Sequence, residues 1–487
     1  MPSELSPGLS SNRRPFSGSP PRITVVGAGL AGTECALQLA DRGHLVTLIE
    51  MRGMESTPAH KTADCGELVC SNSFGSLAHH AAPGLLKWEA ERAGSRVLQA
   101  ALDARVPAGQ ALGIDRERFA QALTDAVESH TRIQLERRVI RTLDEIPRPA
   151  VVATGPLTHD DLARSFQAHF GEADHLYFFD AIAPIVAADS INEKIAWKAD
   201  RWDKGTKDYW NCPMSKKEYY FFIEAVREAK KIEAKDFEKN TPYFESCMPI
   251  EAILERGPLT LRFGPMSAKG LRDPRTGNMP FACVQLRQDN REGTAYNMVG
   301  FQTKMAYADQ KRVFRLIPGL EEAEFLKLGS IHRNLYINTP KLLARDLSSK
   351  RDPWLFFAGQ ITGVEGYFES TCMGLLVSHF LDAKLRGVET LVPPRESAFG
   401  SLHAAITDET KMSHFQPTNI NFGHLPEPRA EELQNPRDKA AKRELQIAKA
   451  KRAFSAWCAD LHLRQIENSR VEAAADELLA LSEATPS

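Results

Sequence analysis

The sequence predicts an α/β fold: a Rossmann-like domain in two pieces, with an α+β domain inserted between them. Three stretches carry that expectation. "RITVVGAGLAGTECALQLADRGHLVTLIEMR" reads as a β-branched strand, a glycine turn, an amphipathic helix and a second strand. "AVVATGPLT" (Ala150 to Thr158) reads as a buried strand ending in a glycine loop. "WLFFAGQITGVEGYFESTCMGLL" (Trp354 to Leu376) runs strand, glycine-rich loop and helix start again, late in the chain.

Taken in order, residues 1–22 are rich in Ser, Pro, Gly and Arg and lack an apolar h-region. They are expected to be a disordered extension and not a signal peptide. Next comes G-x-G-x-x-G, with Gly27, Gly29 and Gly32 separated by Ala28, Leu30 and Ala31. Gly27 permits the tight turn, Gly29 lets backbone approach a pyrophosphate at the helix N-terminus, and Gly32 lets helix and strand pack closely. Glu50 ends the second strand, placed to accept hydrogen bonds from ribose hydroxyls. The strand, helix and acid together predict a dinucleotide site. The late glycine-rich loop, with Gly359, Gln360, Gly363 and Val364, selects FAD. Flavoproteins of the two-dinucleotide-binding-domain type close their site with such a loop, and a nicotinamide dehydrogenase has no need of it.

The FAD domain therefore spans 23–178 and resumes at 328–460 with a C-terminal helical segment. The inserted substrate or RNA domain occupies 179–327, with strand-like runs and charged helices around Lys216 to Lys235. A basic helix candidate, Pro436 to Arg452, offers a phosphate-binding face, or simply a solvated one. Residues 461–487 read as an acidic, partly disordered tail.

Composition sets limits. The chain has 487 residues, 43% hydrophobic and 25% charged, with a formal net charge of −2. No stretch approaches the ~20 continuous apolar residues that span a bilayer, so no membrane is expected. The charge gives no global attraction to nucleic acid, and any RNA contact needs a local patch. Eight cysteines are scattered without C-x-x-C or zinc spacing, which predicts free thiols, a cytoplasmic protein and no metal.

Longer motifs add a resemblance. "TPAHKTADCGELVCSNSFGS", "ARVPAGQALGIDRERFA", "LYFFDAIAPIV", "RWDKGTKDYWNCPM", "FESCMPIEAILERGPLTLRFGPM", "VQLRQDN", "YNMVGFQT", "HRNLYINTPKLL", "LFFAGQITGVEGY" and "FQPTNINFG" run through 23–424. Together they resemble the folate- and FAD-dependent tRNA (uracil-5-)methyltransferases, the TrmFO family of the MnmG/Gid flavoprotein superfamily. The resemblance implies a transferase. 5,10-Methylenetetrahydrofolate supplies a one-carbon unit, reduction passes through FAD from NADH or NADPH, and C5 of a T-loop uridine in tRNA accepts the carbon. It also implies two functional cysteines, Cys70 in "ELVCSNS" and Cys247 in "FESCMPIE".

Thiols suit that chemistry. Uracil C5 is a poor nucleophile until a thiolate adds to C6, and a base must then remove the C5 proton. The sequence does not say which cysteine takes which role. Glu245 and Glu251 flank Cys247 and oppose its ionisation, so activation must come from elsewhere: Arg256, Arg262, a helix terminus or bound RNA. Arg287 and Asn290 are candidates for folate or RNA phosphates, and Arg52, His60 and Lys61 for the flavin or folate. Two places depart from the family pattern. Lys304 stands where a histidine is usual and is expected to pair with the folate glutamate. Thr371, Cys372 and Met373 replace three small residues and are expected to narrow the flavin pocket. Alternatives are a ribosomal RNA uridine as target, a wobble-uridine enzyme of the same superfamily, or a non-catalytic FAD- or folate-binding homologue. The oligomeric state is not legible.

Overall fold

The computed structural model describes residues 21–483, apart from 58, 172–174, 182, 204–205, 233–247, 434 and 436. Residues 175–181, 331–333, 430 and 462–483 are described by backbone alone. Five short strands, all but Ile133–Arg137 buried throughout, form a parallel sheet in the order Leu355–Phe357, Ala150–Val152, Ile23–Val26, Val46–Glu50, Ile133–Arg137. Continuous apolar runs suit a sheet covered on both faces. The chain leaves the central strand Ile23–Val26 to one side and returns on the other at Ala150. That reversal opens a crevice at the carboxyl ends of the strands.

The helix Leu30–Asp41 is buried along all but its last residue and packs against the helix Tyr367–Arg386. A helix wedged between layers is buried on every side, and its polar Thr33, Glu34 and Gln38 are each hydrogen-bonded within the protein. A small antiparallel sheet of Ser73–Ser76, Ala111–Ile114 and Arg105–Val106 flanks this layer.

The inserted domain is α+β, as expected. Its six strands are antiparallel wherever they pair, in the order 197–198, 209–214, 282–288, 295–298, 185–187, 325–327. It has its own core, around Trp210, Tyr219, Phe222, Phe301 and Phe314, distinct from the Rossmann core. An antiparallel pair, His175–Ala181 with Ile331–Ile337, carries the chain in and out of the insertion.

The C-terminal helix runs Lys439–Glu483. Its basic face is partly spent on the protein itself. Lys442 pairs with Glu427 at 2.7 Å and Lys449 with Glu432 at 2.6 Å. Arg443 lies over Phe422 and Lys451 over Trp88. Among the described residues no helix is long and apolar enough to cross a membrane, and no cluster of three His, Cys, Asp or Glu could hold a metal.

Candidate functional site

Two cavities open at the carboxyl ends of the parallel strands. One, of about 70 Å³, is bordered by Gly27, Gly29, Glu50, Arg52, Arg138 and Thr158. The other, of about 260 Å³, is bordered by Leu30, Ala31, Cys70, Asn334, Gly359 and Tyr367, among others. Gly29, His60, Thr154 and Leu157 border both, so they form one cleft.

The glycine turn shapes this cleft. Gly27 has φ 100°, and a Cβ there would lie 2.6 Å from Ala153 O. Gly32 packs against Gly27 O. A Cβ on Gly29 would meet no protein atom within 4 Å, so the space above it is open. The helix that follows has no side-chain cap, and neither has the helix starting at Tyr367. Both leave N-terminal amides for a ligand's phosphates or carbonyls.

Glu50 is more heavily engaged than its sequence position suggests. It accepts Ala28 N–H at 2.7 Å, and Arg52 N–H and Nε–H at 2.9 Å each. Burial opposes its charge, but Arg52 and the amides outweigh that, and the carboxyl lies below its usual range. A carboxylate offers about four acceptor sites, so one remains for a ribose hydroxyl. His60 is held down to about 4 by burial and by Arg52, so a neutral imidazole borders the cleft.

The fit to a flavin dinucleotide rests on two orphaned atoms. Asn334 Nδ2 and Ser370 Oγ are buried, border the larger cavity and lack a hydrogen-bond partner in the protein. Buried polar atoms without partners are rare, and two converging on one cleft mark where a polar ligand belongs. With Gly29 open and two uncapped helix N-termini, the residues present fit FAD.

Cys70 borders the larger cavity. Its N–H donates to Tyr367 Oη at 2.7 Å, and its Sγ lies 2.9 Å from the same oxygen. Burial, then Cys70, pushes the Tyr367 phenol well above its usual range, so it stays protonated. The loop carrying Cys70 is clamped by cations. Arg116 donates to Leu68 O at 2.7 Å and grips Asp289 through two hydrogen bonds. Lys327 Nζ donates to Val69 O at 2.8 Å. Arg287 donates to Ser71 Oγ at 2.9 Å and Asn72 Oδ1 at 3.1 Å. Arg116 and Lys327 both interact electrostatically with Cys70. Lys327 is itself pushed down to about 8, first by burial and then by Arg116 and Lys61.

Several expected site residues sit elsewhere. Cys247 and Glu245 lie outside the described residues. Glu251 is buried, capped by Thr303 and Lys304, and pushed up by burial. Gly363 and Val364 border neither cavity: Gly363 packs on Phe415 and Val364 bridges to Thr418. Gly359 and Gln360 do border the cleft. Arg287 and Asn290 are not free phosphate ligands, because the first holds the Cys70 loop and the second closes the turn to Ala295. Lys304 Nζ lies 3.8 Å from Glu255. Thr371, Cys372 and Met373 do not line the flavin cleft, because they point into the helix-packed core and are fully buried. Tyr367, Asn334, Ser370, Arg116 and Lys327 were not singled out from the sequence, although all but Lys327 lie inside the quoted motifs.

A family model described as glucose inhibited division protein A matches residues 22–389. Curated relatives carry the name methylenetetrahydrofolate–tRNA-(uracil-5-)-methyltransferase TrmFO. That of Bdellovibrio bacteriovorus is 66% identical over 436 residues, covering 90% of this chain and 98% of its own. That of Koribacter versatilis is 48% identical over 444 residues, covering 91% and 99%. Among solved structures, GidA of Aquifex aeolicus superposes with a TM-score of 0.62 at 15% identity, covering 95% of this chain and 77% of that one, which concerns the fold alone.

Proposed function

This chain belongs to the TrmFO family within the glucose inhibited division protein A group, and on that premise we propose that Cys70 acts at the flavin cleft on a uridine of tRNA. The reaction is methylenetetrahydrofolate-dependent methylation of uracil C5. The T-loop uridine is the target we assign, and NADH or NADPH the reductant. The enzyme works in the cytoplasm, where tRNA, reduced folate and free thiols coexist.

The observation that carries the residue assignment is the place of Cys70, at the edge of the cleft that fits FAD and under a cationic clamp. When bound, FAD supplies the two-electron reduction that turns a methylene into a methyl group. Gly29 and the uncapped helix N-termini would hold its phosphates, Glu50 its ribose, and Asn334 and Ser370 its remaining polar edge. One thiolate adds to uracil C6, forming the S–C6 bond and pushing electrons to C5. C5 attacks the one-carbon unit, a base takes the C5 proton as the bond from that carbon to its carrier nitrogen breaks, and two-electron reduction of the resulting exocyclic methylene expels the sulfur, breaking S–C6 and restoring the C5=C6 double bond. Cys70 and Cys247 fill the two roles of nucleophile and base between them. Arg116 and Lys327 favour the Cys70 thiolate, and the protonated Tyr367 orients the sulfur.

The test is tritium release from 5-³H-uridine tRNA with methylenetetrahydrofolate and NADPH. Wild type should release tritium, and Cys70→Ala and Cys247→Ala should each lose at least about 100-fold. Full release by Cys70→Ala would remove Cys70 from the chemistry. Mass spectrometry of the methylated RNA locates the product, and methylation outside the T-loop would overturn the target assignment.

A further inference from the structure

The inserted domain carries an exposed indole whose pose is fixed from beneath. Trp202 shows 59% of its surface to solvent. Its backbone is left-handed, with φ 63° and ψ 23°. Asp203 (φ 53°) and Lys207 (φ 62°) follow it, so one loop holds three of the four non-glycine residues with positive φ among the described residues. Such conformations are costly and persist where the surroundings impose them, commonly at ligand contacts.

Those surroundings are explicit. Trp202 N–H donates to Gly270 O at 2.8 Å. The indole lies on Gly270, where a Cβ would come within 2.8 Å of the ring, so the seat requires glycine. Arg201 Nε donates to Gln285 Oε1 at 2.8 Å and its Nη1 to Lys269 O at 3.0 Å. Asp200 accepts the N–H of Lys207 at 2.6 Å and of Asp208 at 3.2 Å.

The same loop is tied to the Cys70 region. Asp208 accepts Gly109 N–H at 2.6 Å, and Tyr209 Oη donates to Ala108 O at 3.0 Å. Tyr209 faces Arg287 across the strand pair, and Arg287 reaches Ser71, the neighbour of Cys70. The two loops that form the seat also expose Lys207, Lys269 and Arg272. Their acids are Asp203, which is exposed, Asp200 and Asp208, bound to backbone amides, and Asp273, which pairs with Arg275.

Resting on the reading that the chain methylates tRNA, we propose that Trp202 is a stacking platform for a base of the RNA substrate, with Lys207, Lys269 and Arg272 meeting the adjoining phosphates. An indole held rigid offers a π-face without an ordering cost, and any base has a face to match it. The flanking cations are the electrostatic footprint of a nucleic acid, not of an apolar protein partner. Through Asp208, Tyr209 and Arg287, the platform is registered against the Cys70 loop.

The test is binding of unmodified tRNA transcript to the holoenzyme, followed by fluorescence anisotropy. Trp202→Ala should raise the Kd about ten-fold, and Trp202→Phe should recover most of it. Both variants are checked by melting temperature and flavin absorbance, so that misfolding is not read as lost binding. Replacing Lys207, Lys269 or Arg272 with Gln should each lower the salt slope of binding by about one. A Kd for Trp202→Ala within two-fold of wild type, with wild type still releasing tritium, overturns the platform and leaves the methylation reading standing. Wild type that neither binds tRNA nor releases tritium overturns both. A changed sedimentation mass for Trp202→Ala with unchanged RNA affinity assigns the surface to a second copy of the chain and also overturns the proposal.

Discussion

Cys70 owes its surroundings to residues that are remote in sequence and close in space. Tyr367 is 297 positions from Cys70, and Lys327 is 258 positions from Val69, whose carbonyl it binds. Lys327 is pushed down to about 8, so it is largely charged at pH 7 and loses its charge as pH rises through that value. The charged ammonium favours a nearby thiolate. Lys327→Met should therefore slow alkylation of Cys70 several-fold at pH 7, read by peptide mapping after iodoacetamide treatment in a Cys247→Ala background. The gap should close above pH 8, where wild-type Lys327 is neutral. An unchanged rate at pH 7 would remove Lys327 from the electrostatics of the thiol. Tyr367→Phe tests the other neighbour. It leaves Cys70 N–H without its acceptor, a loss of about 1 kcal/mol, and frees the sulfur to rotate. Tritium release should fall about ten-fold with flavin content unchanged. No linear pattern announces such partners, which is why Cys70 was legible only through its flanking motif and, of its clamp, only Arg287 was singled out, for a different role.

At the scale of elements, the glycine turn was readable because its chemistry is local. Three glycines, a helix start and an acid at fixed spacing state their purposes without help from distant residues, and the structure separates those purposes. Gly29→Ala adds a methyl group to open space at an ordinary φ of −74°. The protein should fold and melt as wild type, yet purify with flavin reduced by more than ten-fold, because the methyl enters the space a pyrophosphate needs. Gly27→Ala should instead lower the melting temperature by several degrees, since it combines φ 100° with a clash at 2.6 Å. Flavin absorbance and thermal melts of the two variants separate ligand space from backbone strain. The late loop was less readable. Gly363 and Val364 have the look of a cofactor loop, but their contacts are with Phe415 and Thr418, and only tertiary packing distinguishes that from a flavin contact. The basic helix followed the same logic. Its cations resemble a phosphate footprint until Glu427, Glu432, Phe422 and Trp88 are found beside four of them.

At the scale of the whole molecule, the inserted domain holds the Cys70 loop in place as well as carrying the exposed Trp202. Arg287, Asp289 and Lys327 all belong to the insertion, and each holds the segment from Leu68 to Asn72 directly or through Arg116. The Arg116–Asp289 pair is the ion pair among these links, with side chains 15% and 7% exposed. Removing one member of such a pair strands the other, at a cost of about 3 kcal/mol. Asp289→Ala should therefore lower the melting temperature by several degrees. It should also loosen the loop, so that Cys70 becomes more accessible to alkylation while tritium release falls. Arg116→Met combined with Asp289→Leu leaves no stranded charge and should recover most of the stability. It should not recover the activity, because the guanidinium that grips Leu68 O and favours the thiolate is gone. Recovery of stability and activity together would mean that the pair only fastens the domains, and that Cys70 needs no cation from this clamp.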